Sequence, residues 1–306
     1  TLPAGVAVYG GFRGTELTLA ERDPDQYPTV IDAADTGRAI TVQDGAGETT
    51  RIDGLVLENG QADAGGGVYG ADASPTVHRC VIRSCSATAG SGGALHFSGG
   101  SPVLDTCRLS ENEAADRGGA LYLSEANATV TGTVFEENTA GRSGGGICVR
   151  NGDSVLEGCV FLRNTAVEVG GGVYLYGDWG HATADIIGNT LALNSAADGG
   201  ALGADRDCTL TIVNNLAVGN GTGFHSGGGA WTPKNNCVFA NRGYDWAGID
   251  DPTDADGNLR ADPQLADLTR GNVHLQPASP CIDAGDNASA TTAADLDGQA
   301  RIRGGA

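Results

Sequence analysis

A glycine-containing motif that recurs along the chain constrains the fold more than any other feature of the sequence. A Gly-Gly step followed by a small or branched apolar residue returns at intervals of 26 to 29 residues. The steps end at Gly67-Val68, Gly93-Ala94, Gly119-Ala120, Gly146-Ile147, Gly172-Val173, Gly200-Ala201 and Gly229-Ala230. A second column carries asparagine at matching intervals, with Cys85 in one of its places. Two columns that share one period indicate a repeat protein.

The residues of each repeat favour β-strands over helices. Stretches such as 128–135 (ATVTGTVF) are rich in Thr and Val and lack helical spacing of apolar residues. A second short strand is predicted after each Gly-Gly step. Short strands joined by Gly and Asn turns, repeated with this period, predict the coils of a parallel β-solenoid. Neighbouring coils stack at about 4.8 Å, which gives roughly 40 Å for about eight coils.

The asparagine column predicts a hydrogen-bonded ladder inside the solenoid. Asparagine tolerates the left-handed backbone conformation of a tight corner, and stacked amides bond to the same group one coil above and below. We therefore interpret the column as structural and not as a binding stripe. Its predicted members are Asn59, Asn112, Asn138, Asn164, Asn194 and Asn220, with Asn241 continuing it.

Three further stretches carry a family resemblance: GVAVYGGFRGTE at 5–16, SPCIDAG at 279–285 and DLDG at 295–298. Together with the Gly-Gly-Gly-Val-Tyr coils, they resemble secreted bacterial right-handed parallel β-helix proteins. The coils are similar to polymorphic outer-membrane-protein repeats, and the C-terminal end is similar to the choice-of-anchor segment of such surface proteins. The resemblance implies an all-β, right-handed parallel β-helix that is secreted or displayed on the cell surface. It implies no particular activity.

The charge balance argues against two classes of partner. With 18 Lys and Arg against 38 Asp and Glu, the formal net charge is −20, which repels nucleic-acid phosphates and anionic lipid. The sequence contains no apolar run of about 18 residues, the length that a membrane-spanning helix needs. We therefore predict no nucleic-acid partner and no membrane insertion in this segment.

Eight cysteines fit an exported chain, and none stands in a Cys-x-x-Cys motif. Cys80 and Cys107 share one column, and a coil spacing of about 4.8 Å lies within the Cα range of a disulfide. A disulfide between them and a stack of small buried thiols are equal alternatives at this point. Cys237 with Cys281 is the second candidate pair, which would tie the last coil to the C-terminal tail.

The period is lost near residue 243. Residues 1–243 are therefore predicted to form the coils, and residues 244–306, rich in Asp, Pro and Gly, to form an irregular C-terminal cap. A solenoid end must be covered, because an open end exposes apolar surface and unpaired strand edges. The N-terminal end shows no obvious cap in the sequence, so a second copy of the chain, stacked end to end, is an expected partner.

Two acidic stretches near the C-terminus are candidate calcium sites. Asp254, Asp256 and Asn258 alternate along a Gly-containing turn and begin an oxygen-ligand loop, although no Glu stands at its twelfth position. Asp295 and Asp297 form a shorter stretch. Calcium is the one cofactor that the sequence suggests, and Asp-Gly turns without a metal are the alternative.

Ring-bearing residues after the Gly-Gly steps suggest a binding stripe. If these rings point outward, they would stack on the sugar rings of an extracellular polysaccharide or on a protein partner. The alternative is that they fill the solenoid core. The candidates are Tyr69, His96, Tyr122, Tyr174, Tyr176 and Trp231, with Trp179 in a nearby insertion.

The sequence favours a noncatalytic extracellular scaffold, such as an adhesin-like element or a building block of an extracellular layer or fibre. Parallel β-helices also carry polysaccharide lyases and hydrolases, which need a base beside calcium or a pair of carboxylates. Glu111 and Glu137 share a column, but we interpret that column as a solvated outer face and name no catalytic residue. A carbohydrate-binding module is the second alternative.

Overall fold

The computed structural model describes residues 1–178 and 180–301, and its backbone winds repeatedly through the same parallel sheets. Three of these sheets contain nine strands each, and a fourth contains five short strands. Strands that are adjacent in a sheet lie one coil apart in the chain and pair in parallel, as Val81, Arg108 and Val134 do. The predicted all-β, right-handed parallel β-helix with coils of about 26 residues is confirmed.

We number the sheets in the order in which a coil enters them. Sheet 1 contains Ala7–Tyr9, Arg51–Asp53, Thr76–His78, Val103–Asp105, Thr129–Thr131, Asp153–Glu157, Ala182–Ile187, Cys208–Val213 and Ala230–Lys234. Sheet 2 contains Thr29–Asp32, Leu55–Glu58, Val81–Arg83, Arg108–Ser110, Val134–Glu136, Val160–Leu162, Thr190–Ala192, Leu216–Val218 and Cys237–Phe239. Sheet 3 contains Gln61–Ala62, Ser86–Ala87, Glu113–Ala114, Thr139–Ala140 and Thr165–Ala166. Sheet 4 contains Ile40–Thr41, Val68–Ala71, Leu95–Ser98, Leu121–Ser124, Ile147–Arg150, Val173–Tyr176, Leu202–Asp205, Phe224–Gly227 and Trp246–Ala247.

Outside these four sheets, the described chain adds an antiparallel hairpin and short 3₁₀ helices. The hairpin strands are Leu265–Asp267 and Asn272–Leu275. The 3₁₀ helices are Leu19–Glu21, Leu268–Arg270 and Asn287–Ser289. In the residues described, no helix is long and apolar enough to cross a membrane.

One continuous apolar core fills the solenoid. Strand side chains alternate between this core and the outer surface, so each sheet contributes an inward column. In sheet 2 that column includes Phe135 and Phe161, both 0% exposed, whose rings stack with centroids 4.9 Å apart. Burying one such ring contributes about 1.5–3 kcal/mol. Because the repeat places an apolar residue at the same point of the next coil, the core extends from coil to coil.

The Gly-Gly steps occupy the corner at which each coil enters sheet 4. A methyl group on Gly145 would lie 2.4 Å from the carbonyl oxygen of Gly171 in the next coil. Neighbouring coils therefore approach too closely at this corner for a side chain. The last predicted step is wrong, because Gly229 lies between sheets 4 and 1. In that coil the corner residue is Gly223, directly before Phe224. Phe224 pairs with Leu202 of the preceding coil, so the coil is shorter than the repeat predicts.

The predicted asparagine ladder runs along the corner between sheets 2 and 3. Asn138 Oδ1 accepts hydrogen bonds from the backbone N–H of Asn112 at 3.1 Å and from its side-chain amide at 2.9 Å. The side-chain amide of Asn138 donates in turn to the carbonyl oxygen of Leu109 at 3.0 Å. The rungs are Asn112, Asn138, Asn164, Asn194, Asn220 and Asn241, and the N–H of Cys85 donates to the first of them.

Asn59 is not part of this ladder, so its assignment is corrected. It lies one residue earlier in its coil, with φ of +55°, and its side-chain amide donates to Asp32. The ladder position in that coil is Gly60, whose N–H points to the sulfur of Cys85. The left-handed conformation belongs to the residue before each rung, such as Glu137 at +55°. Because asparagine also favours this conformation, the sequence pattern does not separate the two positions.

A second asparagine ladder, which the sequence reasoning missed, follows the corner between sheets 1 and 2. Asn215 Oδ1 accepts from the backbone N–H of Asn189 at 2.9 Å and from its side-chain amide at 3.0 Å. Asn236 and Asn258 continue this ladder through the following coils. The same position in earlier coils is occupied by Cys80, Cys107, Thr133 and Cys159.

The chain after residue 259 turns back along the outer face of sheet 2, and we call residues 260–301 the strap. Asn214, before the eighth strand of that sheet, donates to the carbonyl oxygen of Asp286 at 2.9 Å. Glu157, two coils earlier, accepts a hydrogen bond from Thr291. The region predicted as a cap, 244–306, thus contains Trp246–Ala247, still paired in sheet 4, and the strap. Residues 302–306 lie outside the described part.

The outer face of sheet 2 explains the position of the strap. In the earlier coils one outward column carries Arg83 and Glu136, whereas in the later coils it carries Leu162 and Val218. The strap covers the later, apolar part, where Val273 packs on the cluster formed by these buried side chains. Removal of this apolar area from water stabilises the docked strap.

Glu157 fastens the far end of the strap. This residue is 0% exposed, accepts hydrogen bonds at 2.8 Å from the backbone N–H groups of Thr291 and Thr292, and pairs with Arg301 at 3.1 Å. Burial alone would raise the pKa of the Glu157 carboxyl, but the hydrogen bonds from Thr291 and Thr292 outweigh burial and hold the pKa below its usual value. The ionised carboxylate is therefore the form that holds the strap.

Candidate functional site

Four of the predicted ring-bearing residues form one column on the outer face of sheet 4, and Tyr176 lies on the same face two residues after Tyr174. The register places Tyr69, His96 and Tyr122 side by side in successive coils, with ring centroids 5.2 and 5.0 Å apart. Cys148 and Tyr174 continue the column. The alternating residues of the same strands face the core, so the rings lie outside the solenoid and do not fill it.

Most of this column is covered, not open to solvent. Tyr122, Tyr174 and Tyr176 are 8, 7 and 5% exposed, and the hydroxyls of Tyr122 and Tyr176 lie 3.0 Å apart. The Arg117 guanidinium carbon lies 4.8 Å from the centre of the Tyr176 ring. Burial raises the pKa of Tyr122 and Tyr174. The tyrosine rings therefore form a small packed cluster, and only Tyr69 and His96 are half-exposed.

Two other predicted partner-binding residues do not join the column. Trp231 lies on the last strand of sheet 1, opposite the buried Leu210, and packs against the end of the core. Trp231 follows the Gly229-Ala230 step, which lies between sheets 4 and 1 and not at the corner before sheet 4, and this explains its different position. Trp179 lies outside the described residues.

The first candidate calcium stretch is partly used by the fold. Asn258 is 2% exposed and is the last rung of the second ladder, with its amide oxygen accepting both the N–H and the side-chain amide of Asn236 at 3.0 Å. Asp254 and Asp256 are exposed and have positive φ. In the second stretch, Asp295 Oδ1 accepts from backbone N–H groups of its own turn, and Asp297 lies 2.5 Å from His274. No group of three or more His, Cys, Asp and Glu suited to a metal occurs among residues 1–178 and 180–301.

A cleft of about 430 Å³ lies between sheet 2 and the strap. Its apolar lining includes Val134 and Val160 from sheet 2 and Leu296 from the strap, and its polar lining includes Glu136 and His274. Glu136 pairs with Arg108 and lies 3.4 Å from Arg163. The two nitrogens of His274 lie 2.7 Å from Asn272 Oδ1 and 2.5 Å from Asp297 Oδ2. The cleft can accommodate a ligand with an apolar face and a polar edge, such as a sugar ring.

A line of charged residues on the outer face of sheet 1 was missed by the sequence reasoning. Asp53, 1% exposed, lies 2.7 Å from Arg51 Nε and 3.0 Å from His78 Nδ1, and it also pairs with Arg22. His78 Nε2 lies 3.4 Å from Asp105. Burial alone would raise the pKa of Asp53, but Arg22, Arg51 and His78 outweigh it and lower the pKa. The arrangement ties three coils together and leaves both nitrogens of the imidazole engaged.

The family model of the right handed beta helix region matches residues 34–191 and 66–242, which together span more than half of the chain. The chain belongs to the right-handed beta-helix family. No curated protein and no solved structure matches it. Membership accounts for the sheets and the coil repeat of this beta helix, and it names no substrate, partner or location.

The cysteines of this beta helix fall into two environments. All eight thiols are free, and in each predicted pair, Cys80 with Cys107 and Cys237 with Cys281, one thiol shifts the pKa of the other. The first pair lies in a ladder column inside the core, at 1 and 3% exposure. The second pair joins the outer face of sheet 2 to the strap.

Acidic residues on the outside of the beta helix are paired across coils. Glu58 lies 2.5 Å from Arg83 of the next coil, and Glu168 lies 3.2 Å from Arg142. Glu137, in the column predicted as a solvated face, is exposed and lies 3.9 Å from Arg163. These contacts bring opposite charges together between neighbouring coils, an arrangement that stabilises stacking by about 0.2–1 kcal/mol per pair.

Proposed function

We propose that the chain is a noncatalytic scaffold of an extracellular or cell-surface structure. The observation that carries the proposal is the use of its polar side chains to join coils. Inside, two ladders of asparagine amides connect successive coils. Outside, carboxylates pair with arginines of the neighbouring coil, as Glu58 does with Arg83 and Glu136 with Arg108. Such an arrangement favours a stiff rod.

The covered state of the aromatic column supports a scaffold over a carbohydrate-binding module. A sugar ring stacks on an aromatic face that solvent can reach. The rings of Tyr122, Tyr174 and Tyr176 are buried against one another and against Arg117. Their packing on sheet 4 adds to the stability of the middle coils and leaves little ring surface for a ligand.

The two ends of the solenoid differ, which bears on association with a second copy. At the N-terminal end, Ala7–Tyr9 and Thr29–Asp32 are edge strands, and Phe12 and Val30 are 41 and 49% exposed. At the other end, the edge strand of sheet 1 contains Pro233, which has no N–H to donate. We therefore propose the N-terminal end, and not the C-terminal end, as the site of self-association.

Hydrogen exchange tests the stiffness on which the scaffold depends. We expect the backbone amides of Asn112, Asn138 and Asn164, which donate to side chains of the next coil, to exchange only when the whole chain unfolds. Exchange from the middle coils at a rate far above that of global unfolding would contradict the proposal. Sedimentation of the wild type and of Val30→Lys tests self-association, since an added charge at the exposed edge should abolish it.

A polysaccharide-binding or polysaccharide-cleaving site is the second candidate, and the cleft between sheet 2 and the strap is the observation that favours it. The cleft combines an apolar lining with Glu136, His274 and Asp297. Isothermal titration with neutral and uronic oligosaccharides, with calcium and with chelator, tests it. Binding that is lost in Glu136→Gln but kept in Glu168→Gln, a matched ion-pair change away from the cleft lining, would support this candidate. Equal titrations in both variants would contradict it.

A further inference from the structure

Two cysteines far apart in the sequence meet where the strap joins the last coil. Cys237 begins the last strand of sheet 2, points to the outer face and is 5% exposed. Cys281 lies on the strap, is half-buried, and packs on the same apolar cluster. Each thiol shifts the pKa of the other. Both line a cavity of about 170 Å³ between the strap and sheet 2, which gives a small molecule room beside them.

The structure assigns Cys237 and Cys281 as a disulfide-forming pair that fastens the strap to the last coil of the solenoid. The bond would secure the strap midway along its length, while Glu157 holds it near its far end through Thr291, Thr292 and Arg301. The inference goes beyond the scaffold role, because it concerns a covalent modification and the position of the strap that forms one wall of the cleft.

The chemical step is a thiol–disulfide exchange with a low-molecular-weight disulfide as oxidant. The thiolate of Cys281 attacks one sulfur of that oxidant and displaces a first thiolate, which takes up a proton. The thiolate of Cys237 then attacks Cys281 Sγ in the mixed disulfide and displaces the second thiolate. The protein loses two protons and two electrons, and the oxidant becomes two thiols.

The environment of Cys281 suits it to the first attack. Its contact with the Cys237 thiol lowers the pKa of Cys281 to about 7, against the opposing effect of burial and with help from Ser279. The same contact, with burial, raises the pKa of Cys237. A thiol with a pKa near ambient pH is both ionised and nucleophilic, the combination that exchange requires. The roles of attacking and resolving cysteine therefore differ within the pair.

The pair Cys80 and Cys107 provides an internal control. Here too Cys107 lowers the pKa of its partner Cys80, while burial raises the pKa of Cys107 well above its usual value, but both thiols lie in the core. Neither thiol lines the cavities beside the strap. A dissolved oxidant reaches them only when the coils open. If proximity of the thiols alone decided, both pairs would be oxidised. Because a dissolved oxidant reaches only Cys237 and Cys281 in the folded chain, we expect only that pair to form a disulfide.

The experiment incubates the folded, reduced full chain with oxidised glutathione, then alkylates free thiols and maps the peptides. We expect a mass loss of about 2 Da before alkylation and a single cross-link between residues 237 and 281, with Cys80 and Cys107 alkylated only after unfolding. The cross-link should persist in Cys80→Ser and be absent in Cys281→Ser. Proteolysis of the strap should slow about tenfold on oxidation and recover with dithiothreitol.

Two results would overturn the inference. One is that Cys237 and Cys281 remain unlinked in the oxidised, folded chain. The other is that oxidation links Cys80 to Cys107 equally fast, which would show that access does not select the pair. Because Cys281→Ser changes one sulfur atom to oxygen, circular dichroism of that variant checks that it folds. The Cys237→Ser variant, which should trap glutathione on Cys281, provides an independent readout.

Discussion

Replacement of Asn138 by alanine tests the role of the ladder most sharply. Asn138 is 0% exposed, and its side chain makes hydrogen bonds to Asn112, Leu109 and Asn164. Alanine leaves the backbone N–H of Asn112 buried without its acceptor, which costs about 1–3 kcal/mol. The other lost hydrogen bonds contribute about 0.5–1.5 kcal/mol each, and the missing amide leaves a cavity. We therefore expect Asn138→Ala to lower the free energy of unfolding by about 2–5 kcal/mol.

The assay is urea unfolding followed by circular dichroism, with two comparison variants. Asn138→Thr keeps an acceptor, as Thr133 does for the N–H of Cys107 in the other corner, so its loss should be smaller. Asn127→Ala removes an exposed acceptor of one backbone N–H and should cost at most about 1 kcal/mol. An Asn138→Ala variant no less stable than Asn127→Ala would refute the reasoning.

Further predictions concern one glycine and two titrating groups. Gly145→Ala should lower the melting temperature strongly, because its methyl group would lie 2.4 Å from a carbonyl oxygen. Gly37→Ala, where the methyl group has open space, should change the melting temperature by about a degree or less. Equal melting temperatures of the two variants in calorimetry would contradict the close approach of the backbones at Gly145. Glu157→Gln should speed proteolysis of the strap. The wild-type strap should also loosen below about pH 4.5. The pKa of the Glu157 carboxyl is lower in the folded than in the unfolded chain, so its stabilising effect is present above the unfolded-state pKa and is lost as the pH falls through the folded-state pKa. A proteolysis rate that changes neither with Glu157→Gln nor with acidification would contradict this. Burial, together with the Arg38 guanidinium, lowers the pKa of His96, although the hydrogen bond that its ring donates to the carbonyl oxygen of Ser91 opposes this shift. The stability due to the neutral ring is therefore full above about pH 6.5 and is lost on acidification. Unfolding curves should show less loss in His96→Gln, and an NMR titration of His96 at the usual pKa would contradict the argument.

The coil architecture is predictable because it depends on local rules that repeat. Each coil needs glycine where backbones approach, as at Gly145, and an inward apolar residue such as Phe135 at a fixed offset. The pattern misplaced Asn59 by one residue, because the corner position and the ladder position are adjacent and both accept asparagine. The later coils shorten, with Leu202 paired to Phe224, and this misplaced the last Gly-Gly step.

Two structural features left signals that the sequence reasoning did not use. The second ladder shows as asparagines that follow Gly or Asn, as Asn189 follows Gly188 and Asn236 follows Asn235. The strap shows as a loss of alternation in sheet 2, since Val160–Leu162 has three apolar residues where a half-exposed strand would alternate. A strand that is apolar on both faces predicts a covering layer, which here is the strap.

The candidate site was less predictable, because side-chain partners come from distant parts of the chain. The repeat did bring Tyr69, His96 and Tyr122 into one column, but it does not reveal that residues outside the strands, such as Arg117 and Val169, pack against the rings of this face. Asp53 and His78 are 25 residues apart, so the period alone would have paired them. The cleft, by contrast, forms only when the strap folds back, and no local pattern specifies its lining.

Product release from polysaccharides is the most direct test of the central claim that the outer carboxylates hold coils together and do not act on a substrate. The measurement exposes the wild type to a panel of acidic and neutral polysaccharides, with calcium and with chelator, and reads reducing ends and unsaturated uronates. The account predicts no release above that of Glu136→Gln. Release by the wild type that Glu136→Gln abolishes and Glu168→Gln retains would contradict it and make the cleft an active site.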